Sequence, residues 1–113
     1  MLRPNVLRKK ADFNLIYNKG KSTADRYVVV FYKKNGMQIN RTAFLASKKV
    51  GNSVHRNRAR RLMKESLRLI TDEISTGFDL IFIARNTING KKQHDVSKSI
   101  RTSLKKIGVI PKR

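Results

Sequence analysis

Arg56, Arg60, Lys64 and Arg68 recur at every fourth position of the sequence. On a helix that spacing lines four cations along one side. Arg58 and Arg61 fall on neighbouring strips, and only Glu65 opposes them, placed to pair with Arg61 at i, i+4. Each like-charged i, i+4 pair costs about 0.2–0.5 kcal/mol, so the stripe repels itself. A solvated helix face usually mixes signs. Two readings therefore stand, a solvated face and a surface for phosphates, and the second accounts for the missing acids. The segment before the helix, Lys48-Lys49-Val50-Gly51-Asn52-Ser53-Val54, adds two cations. Gly51 and Asn52 suit a turn with an unusual backbone angle, and N–H groups at a helix start can hold a phosphate. Asn57, set between two arginines, can read a base edge or brace the turn.

The acids offer no comparable pattern. Asp12, Asp25, Glu65, Asp72, Glu73, Asp79 and Asp95 are the seven carboxylates, and two-metal hydrolysis needs several of them converging on ions about 4 Å apart. None shows metal-site spacing. Asp72 and Glu73 are adjacent at a helix end, where side chains diverge. His55 and His94 are isolated, and no glycine-rich phosphate loop is present. With no cysteine in the chain, thiolate zinc sites, disulfides and cysteine nucleophiles are excluded. No residue of this polypeptide is expected to be catalytic or to ligate a metal.

The balance of 27 Lys+Arg against 7 Asp+Glu, a formal charge of +20 over 113 residues, points to a polyanionic partner, nucleic acid before acidic membrane. A hydrophobic fraction of 39% is enough for one compact core rather than a disordered basic tail. The longest apolar run, Tyr27 to Tyr32, is far short of the roughly 20 residues of a spanning helix. No apolar stretch follows the basic start, so a secretory signal is not expected. A cysteine-free chain fits a reducing compartment, and a cytoplasmic location is expected.

These residues need elements to position them. The expectation is one domain over residues 1–113, with an extended basic arm at 1–9 and a basic tail at 108–113. Phe13, Ile16 and Tyr17 share a helical face, which predicts a helix at about 11–19 ended by Gly20 in a left-handed C′ position. Arg26–Lys33 reads as a strand, Asn35-Gly36 as a turn, and Thr42–Ser47 as a second strand, with a short third near Met37–Ile39. A helix at about Arg56–Thr71 turns Ala59, Leu62, Met63, Ser66 and Ile70 inward. Thr76-Gly77 closes the loop after it. Phe78–Ala84 is almost continuously apolar and reads as a central strand. The last helix, about 94–107, buries Val96, Ile100, Leu104 and Ile107. The order is that of an α+β sandwich with one sheet.

The stretch Lys48-Lys49-Val50-Gly51-Asn52-Ser53-Val54-His55-Arg56-Asn57-Arg58-Ala59-Arg60-Arg61 resembles the signature of the bacterial ribonuclease P protein subunit, with Arg56-Asn57-Arg58 at its centre. The resemblance extends over nearly the whole chain. Asp12-Phe13 followed by Tyr17 and Gly20 looks like the family's first helix, and Ala24-Asp25-Arg26 like the entry to its first strand. Asp79–Ala84 followed by Arg85 looks like its last strand. The resemblance implies a four-stranded sheet packed with three helices and a left-handed crossover, where the general rule favours a right-handed one. It implies a protein that assists a catalytic RNA in removing the 5′ leader of precursor tRNA endonucleolytically, the RNA carrying the chemistry. The partners are then the ribonuclease P RNA and precursor tRNA, one protein to one RNA. Magnesium belongs to the assembled particle and no cofactor is assigned to the protein alone.

By the same resemblance Lys48, Lys49, Arg56, Asn57, Arg58, Arg60, Arg61, Lys64 and Arg68 contact the catalytic RNA. Phe13, Tyr17 and Phe31, with Arg56, Arg60 and Lys64, line the leader cleft. Two positions depart from the family pattern. Ala43 stands where Gly is frequent, and Leu45 where a small polar residue is frequent, which makes the cleft floor more apolar. Without the resemblance, aromatics at helical spacing are ordinary core residues. A basic groove with stacking aromatics is also how single-stranded RNA is bound without regard to sequence. The rival function is a ribosomal or other structural RNA-binding protein. A membrane-surface protein ranks third, because the basic helix exposes no Trp or Phe as an interfacial helix would.

Overall fold

Phe78–Ala84 forms one of the two inner strands of the sheet, its apolar run having a neighbour on both sides and cover on both faces. In the computed structural model, which describes residues 5–111, the elements run α1 (Lys10–Lys19), β1 (Lys21–Ala24), β2 (Val28–Lys34), β3 (Arg41–Leu45), α2 (Ser53–Leu69), β4 (Phe78–Ala84) and α3 (Gln93–Lys106). Short 3-10 turns at Thr71–Glu73 and Asn86–Ile88 join the later elements. The sheet order is β1-β2-β4-β3. β4 is antiparallel to β2 and parallel to β3, so α2 is the crossover between two parallel neighbours.

The period-2 alternation of the strands divides the core. Val28, Val30, Leu80 and Phe82 face α2 and α3, meeting Ala59, Met63, Leu67, Val96, Ile100 and Leu104. Phe44 stacks on Phe82 at 5.2 Å between ring centroids. The opposite face carries a smaller cluster of Leu7, Ile16, Ala43 and Ile81, with Phe13, Phe31, Leu45 and Ile83 packed at its margin. Among the described residues only the short α1 and the segment at Leu7 cover this second face, which leaves part of it open.

Several sequence expectations are corrected. No strand forms at Met37–Ile39. The Asn35 side chain holds that segment as a turn, accepting from the Met37 amide at 2.8 Å and donating to the Ile39 carbonyl at 3.2 Å. The missing strand is β1, whose polar, largely exposed Lys-Ser-Thr-Ala sequence carries no alternation. The strand expected to begin at Arg26 starts at Val28, and Ala24 closes β1 instead of entering a strand. α2 starts at Ser53, three residues early, because Asn52 caps it by accepting the His55 amide at 3.1 Å. It ends at Leu69, and Leu67 joins the inward stripe while Leu62 is only half-buried. Glu65 pairs with Arg68 rather than with Arg61.

The described parts of the extended N-terminal arm and of the basic tail pack onto the domain. Asn5 and Leu7 bond to Thr42 on the outer edge of β3, both at 2.9 Å, and Leu7 is buried. Val109 and Ile110 are buried in the main core, and the Val109 carbonyl accepts the Ser75 amide at 2.8 Å. The outermost parts of both expected segments, residues 1–4 and 112–113, lie outside the described residues.

Gly20 is extended, with φ −85°, so it is no left-handed cap. Its reason is space. A β-carbon there would lie 2.5 Å from the Ile16 carbonyl oxygen and 2.6 Å from that of Tyr32, and backbone cannot step aside cheaply. Gly20→Ala is expected to cost about 1–3 kcal/mol, read as a lower urea midpoint at unchanged slope. An unchanged midpoint would show that α1 moves freely over the sheet.

Candidate nucleic-acid interface

α1 presents Phe13 and Tyr17 one turn apart, and β2 presents Phe31 below them. The rings of Phe13 and Tyr17 are 6.4 Å apart, and Tyr17 meets Phe31 edge-on at 5.0 Å. Edge-to-face pairing of this kind adds to simple burial. Phe13 and Phe31 are half-buried, whereas Tyr17 is 40% exposed. Burial pushes the Tyr17 hydroxyl above its ordinary range, so at neutral pH it is a protonated donor. The three residues assigned to one cleft thus form one cluster, open on the Tyr17 side.

α2 buries Ala59, Met63, Ser66 and Leu67 and turns its cations outward. Arg61, Lys64 and Arg68 are exposed, and Arg56 and Arg60 are half-buried. Four members of the expected set have partners within the chain. Arg58 donates to the Lys91 carbonyl at 2.6 Å, fastening α2 to the loop before α3. Asn57 accepts from the Arg60 guanidinium, so its oxygen braces a neighbouring cation. Arg68 is held by Glu65. Lys48 and Lys49 are exposed on the turn before the helix. In that turn Gly51 alone has the unusual angle, φ +140°, and a β-carbon there would press on His55 at 3.0 Å. Asn52 serves as the cap with ordinary angles.

A groove of about 750 Å³ runs between the N-terminal segment and the edge of β3 on one side and α2 on the other. Arg60, Arg61, Lys64 and Arg68 wall it, and Phe13 and Leu45 lie at its inner end. Phe13 and Leu45 also border the cluster that holds Phe31. They are the joint between the aromatic surface and the cationic groove. Arg56, assigned to both surfaces from the sequence, does not line this groove, nor do Tyr17 and Phe31. Leu45 is half-buried and lines this groove together with Ala43.

One polar network has no counterpart in the sequence reading. Asp79, 4% exposed, receives Nε and Nη2 of Arg41 at 2.8 and 2.7 Å and the Asn35 amide at 3.0 Å. Arg41 also lies 3.5 Å from Asp12. The hydrogen bond to Asp79 holds the Arg41 guanidinium above its already high ordinary range, so it stays charged. The available signal is an acid inside the apolar run of β4, which a strand tolerates only when the charge is paired. Among the described residues no three His, Asp or Glu side chains converge as metal ligands, and no metal is assigned to this chain.

The mixed four-stranded sheet packed with three helices matches the fold of solved ribonuclease P proteins. A solved Staphylococcus aureus RNase P protein superposes with a TM-score of 0.85 at 32% identity, over 96% of this chain and 99% of that one. A Thermotoga maritima RNase P protein matches with a TM-score of 0.81 at 32% identity, over 88% and 94%. The Ribonuclease P family model matches residues 1–108. A ribonuclease P protein component of Clostridium botulinum is 44% identical over 109 residues, 96% of this chain and 98% of the relative. One from Caldanaerobacter subterraneus is 42% identical over 100 residues, 88% and 86% respectively. The chain belongs to the ribonuclease P protein family, whose members are the protein component of a tRNA-processing ribonucleoprotein.

Proposed function

We propose that this protein binds the catalytic RNA of ribonuclease P and the single-stranded 5′ leader of precursor tRNA, as one copy per RNA, and that the RNA performs the cleavage. The observation that carries the reading is the junction at Phe13 and Leu45, where an aromatic surface opens into a groove walled by cations of one sign. Stacking on Tyr17 and Phe31 tolerates any base, which suits leaders of differing sequence. Arg60 and Lys64 stand where the strand leaves the aromatics. Arg56, Arg61, Arg68, Lys48 and Lys49 extend the charged face toward the catalytic RNA. Arg58 and Asn57 support that face from inside the chain while keeping donors to spare.

The test is reconstitution. The purified protein, added to a bacterial ribonuclease P RNA and a precursor tRNA at low magnesium, is expected to restore 5′ cleavage that the RNA alone cannot sustain. The protein alone should cleave nothing. Affinity for the RNA should fall with salt on a log–log slope on the order of −4 or steeper. Unchanged cleavage together with tight binding to ribosomal RNA would transfer the protein to the structural RNA-binding class.

A further inference from the structure

Asp12 precedes Phe13 in the first turn of α1. Beside a surface that takes phosphates a carboxylate is unfavourable, since it repels them over the ~10 Å range of charge in ordinary buffer. Only seven acids are present in the chain, and this one stands where electrostatics alone would remove it. Its ion pair supplies a reason. The carboxylate lies 3.5 Å from Nη1 of Arg41. Arg41 is fixed by its two bonds to buried Asp79, and Asp79 is tied by Asn35 to the β2–β3 turn. Asp12 therefore fastens α1 to a polar chain that crosses β3 and β4.

α1 has few other restraints at that end. Its N-cap, Lys9, makes no side-chain capping bond, and Ile16 is its only buried residue. The far end is set by the close approach of Gly20 to the Tyr32 carbonyl. We infer that Asp12 is a positioning residue for the leader site: through Arg41 it sets how α1 lies on the sheet, and so how far Phe13 and Tyr17 stand from Phe31. This inference rests on the leader-binding reading above. Asp12 touches no RNA in this role.

Charge and position predict opposite signs. If Asp12 acts only as a charge, Asp12→Asn tightens RNA binding. If it positions α1, Asp12→Asn weakens the discrimination that the aromatics provide. The holoenzyme is assembled from the protein and a bacterial ribonuclease P RNA, and its affinity for precursor tRNA is divided by its affinity for mature tRNA. Asp12→Asn should lower that ratio roughly 3-fold, the size of one partly exposed ion pair. Affinity for the catalytic RNA should not fall. Asp12→Glu should restore the ratio. In the free protein the Phe31 ring resonances should shift in Asp12→Asn and return in Asp12→Glu.

A ratio that holds or rises, with Phe31 unmoved, overturns the inference. Tyr17→Ala is the control. If it lowers the ratio while Asp12→Asn does not, the leader site stands and the positioning role falls. If neither changes it, the leader reading itself has failed, and the Phe31 resonances alone decide whether Asp12 sets α1.

Discussion

Arg60→Glu combined with Lys64→Glu is expected to lower affinity for a bacterial ribonuclease P RNA by about 100-fold or more near 0.1 M salt. Both side chains wall the groove beside α2, and neither belongs to the buried stripe of Ala59, Met63, Ser66 and Leu67. The helix keeps its packing, so the effect falls on binding rather than on folding. In the proposed role each reversal takes away one cation that holds a phosphate and adds one repulsion. The salt dependence should flatten as well, by about one unit of log–log slope for each phosphate no longer held. Gln at both positions should retain more affinity than Glu at both, with the same flattening. Equal binding by all three proteins, at equal slope, would return this face to ordinary solvated surface.

Tyr17→Ala is expected to lower the holoenzyme's preference for precursor over mature tRNA by about 5- to 150-fold, corresponding to the ~1–3 kcal/mol of one stacked base. In the proposed role only the leader reaches this ring, so affinity for mature tRNA should change little. Tyr17→Phe keeps the stacking face and should keep most of the preference. The effect on stability should be small, since Tyr17 is 40% exposed and Ile16 is the residue that α1 buries. A large drop in the unfolding midpoint with an unaltered preference would make Tyr17 a core residue. Phe31 is less informative alone, because its ring packs on the Ile16–Ile81 cluster and its truncation mixes both effects.

The elements most visible in the sequence are those whose burial pattern is local. β4 is legible to the residue, as Phe78–Ala84, because a strand covered on both faces is apolar at every position but Asp79. α2 and α3 show in their 3.6-residue stripes, with errors of up to three residues at the ends, where a cap decides. β1 is invisible because its four residues are held by register with β2, Lys21 opposite Tyr32 through Ala24 opposite Val29, and by no pattern of their own. The terminal segments mislead for a related reason. Leu7 sits between Val6 and Arg8, and Val109-Ile110 between Gly108 and Pro111, runs too short to show a period, and only the tertiary fold gives each a pocket.

The site is legible in part. The cation stripe is a property of one helix, so spacing suffices. That Phe31 meets Tyr17 depends on α1 folding back over the sheet, which no local pattern encodes, and the family resemblance supplies it. The partners of Arg58, Asn57 and Asp79 are not foreseeable, because each lies across a loop, one helical turn away, or on another strand.

The two rims of the sheet are closed by different means. On one side β1 is short, polar and led by a lysine. On the other, β3 is capped at Thr42 by the N-terminal segment, and the rest of its rim looks toward the arginines of α2. Open rims are where sheets from different molecules join. Here one rim has little to offer and the other is guarded by like charge. Copies that gather on a single polyanion are brought close, their mutual repulsion largely neutralised, under conditions that favour strand exchange and fibre growth. A short polar rim on one side and an occupied one on the other give such crowding little edge on which to join copies.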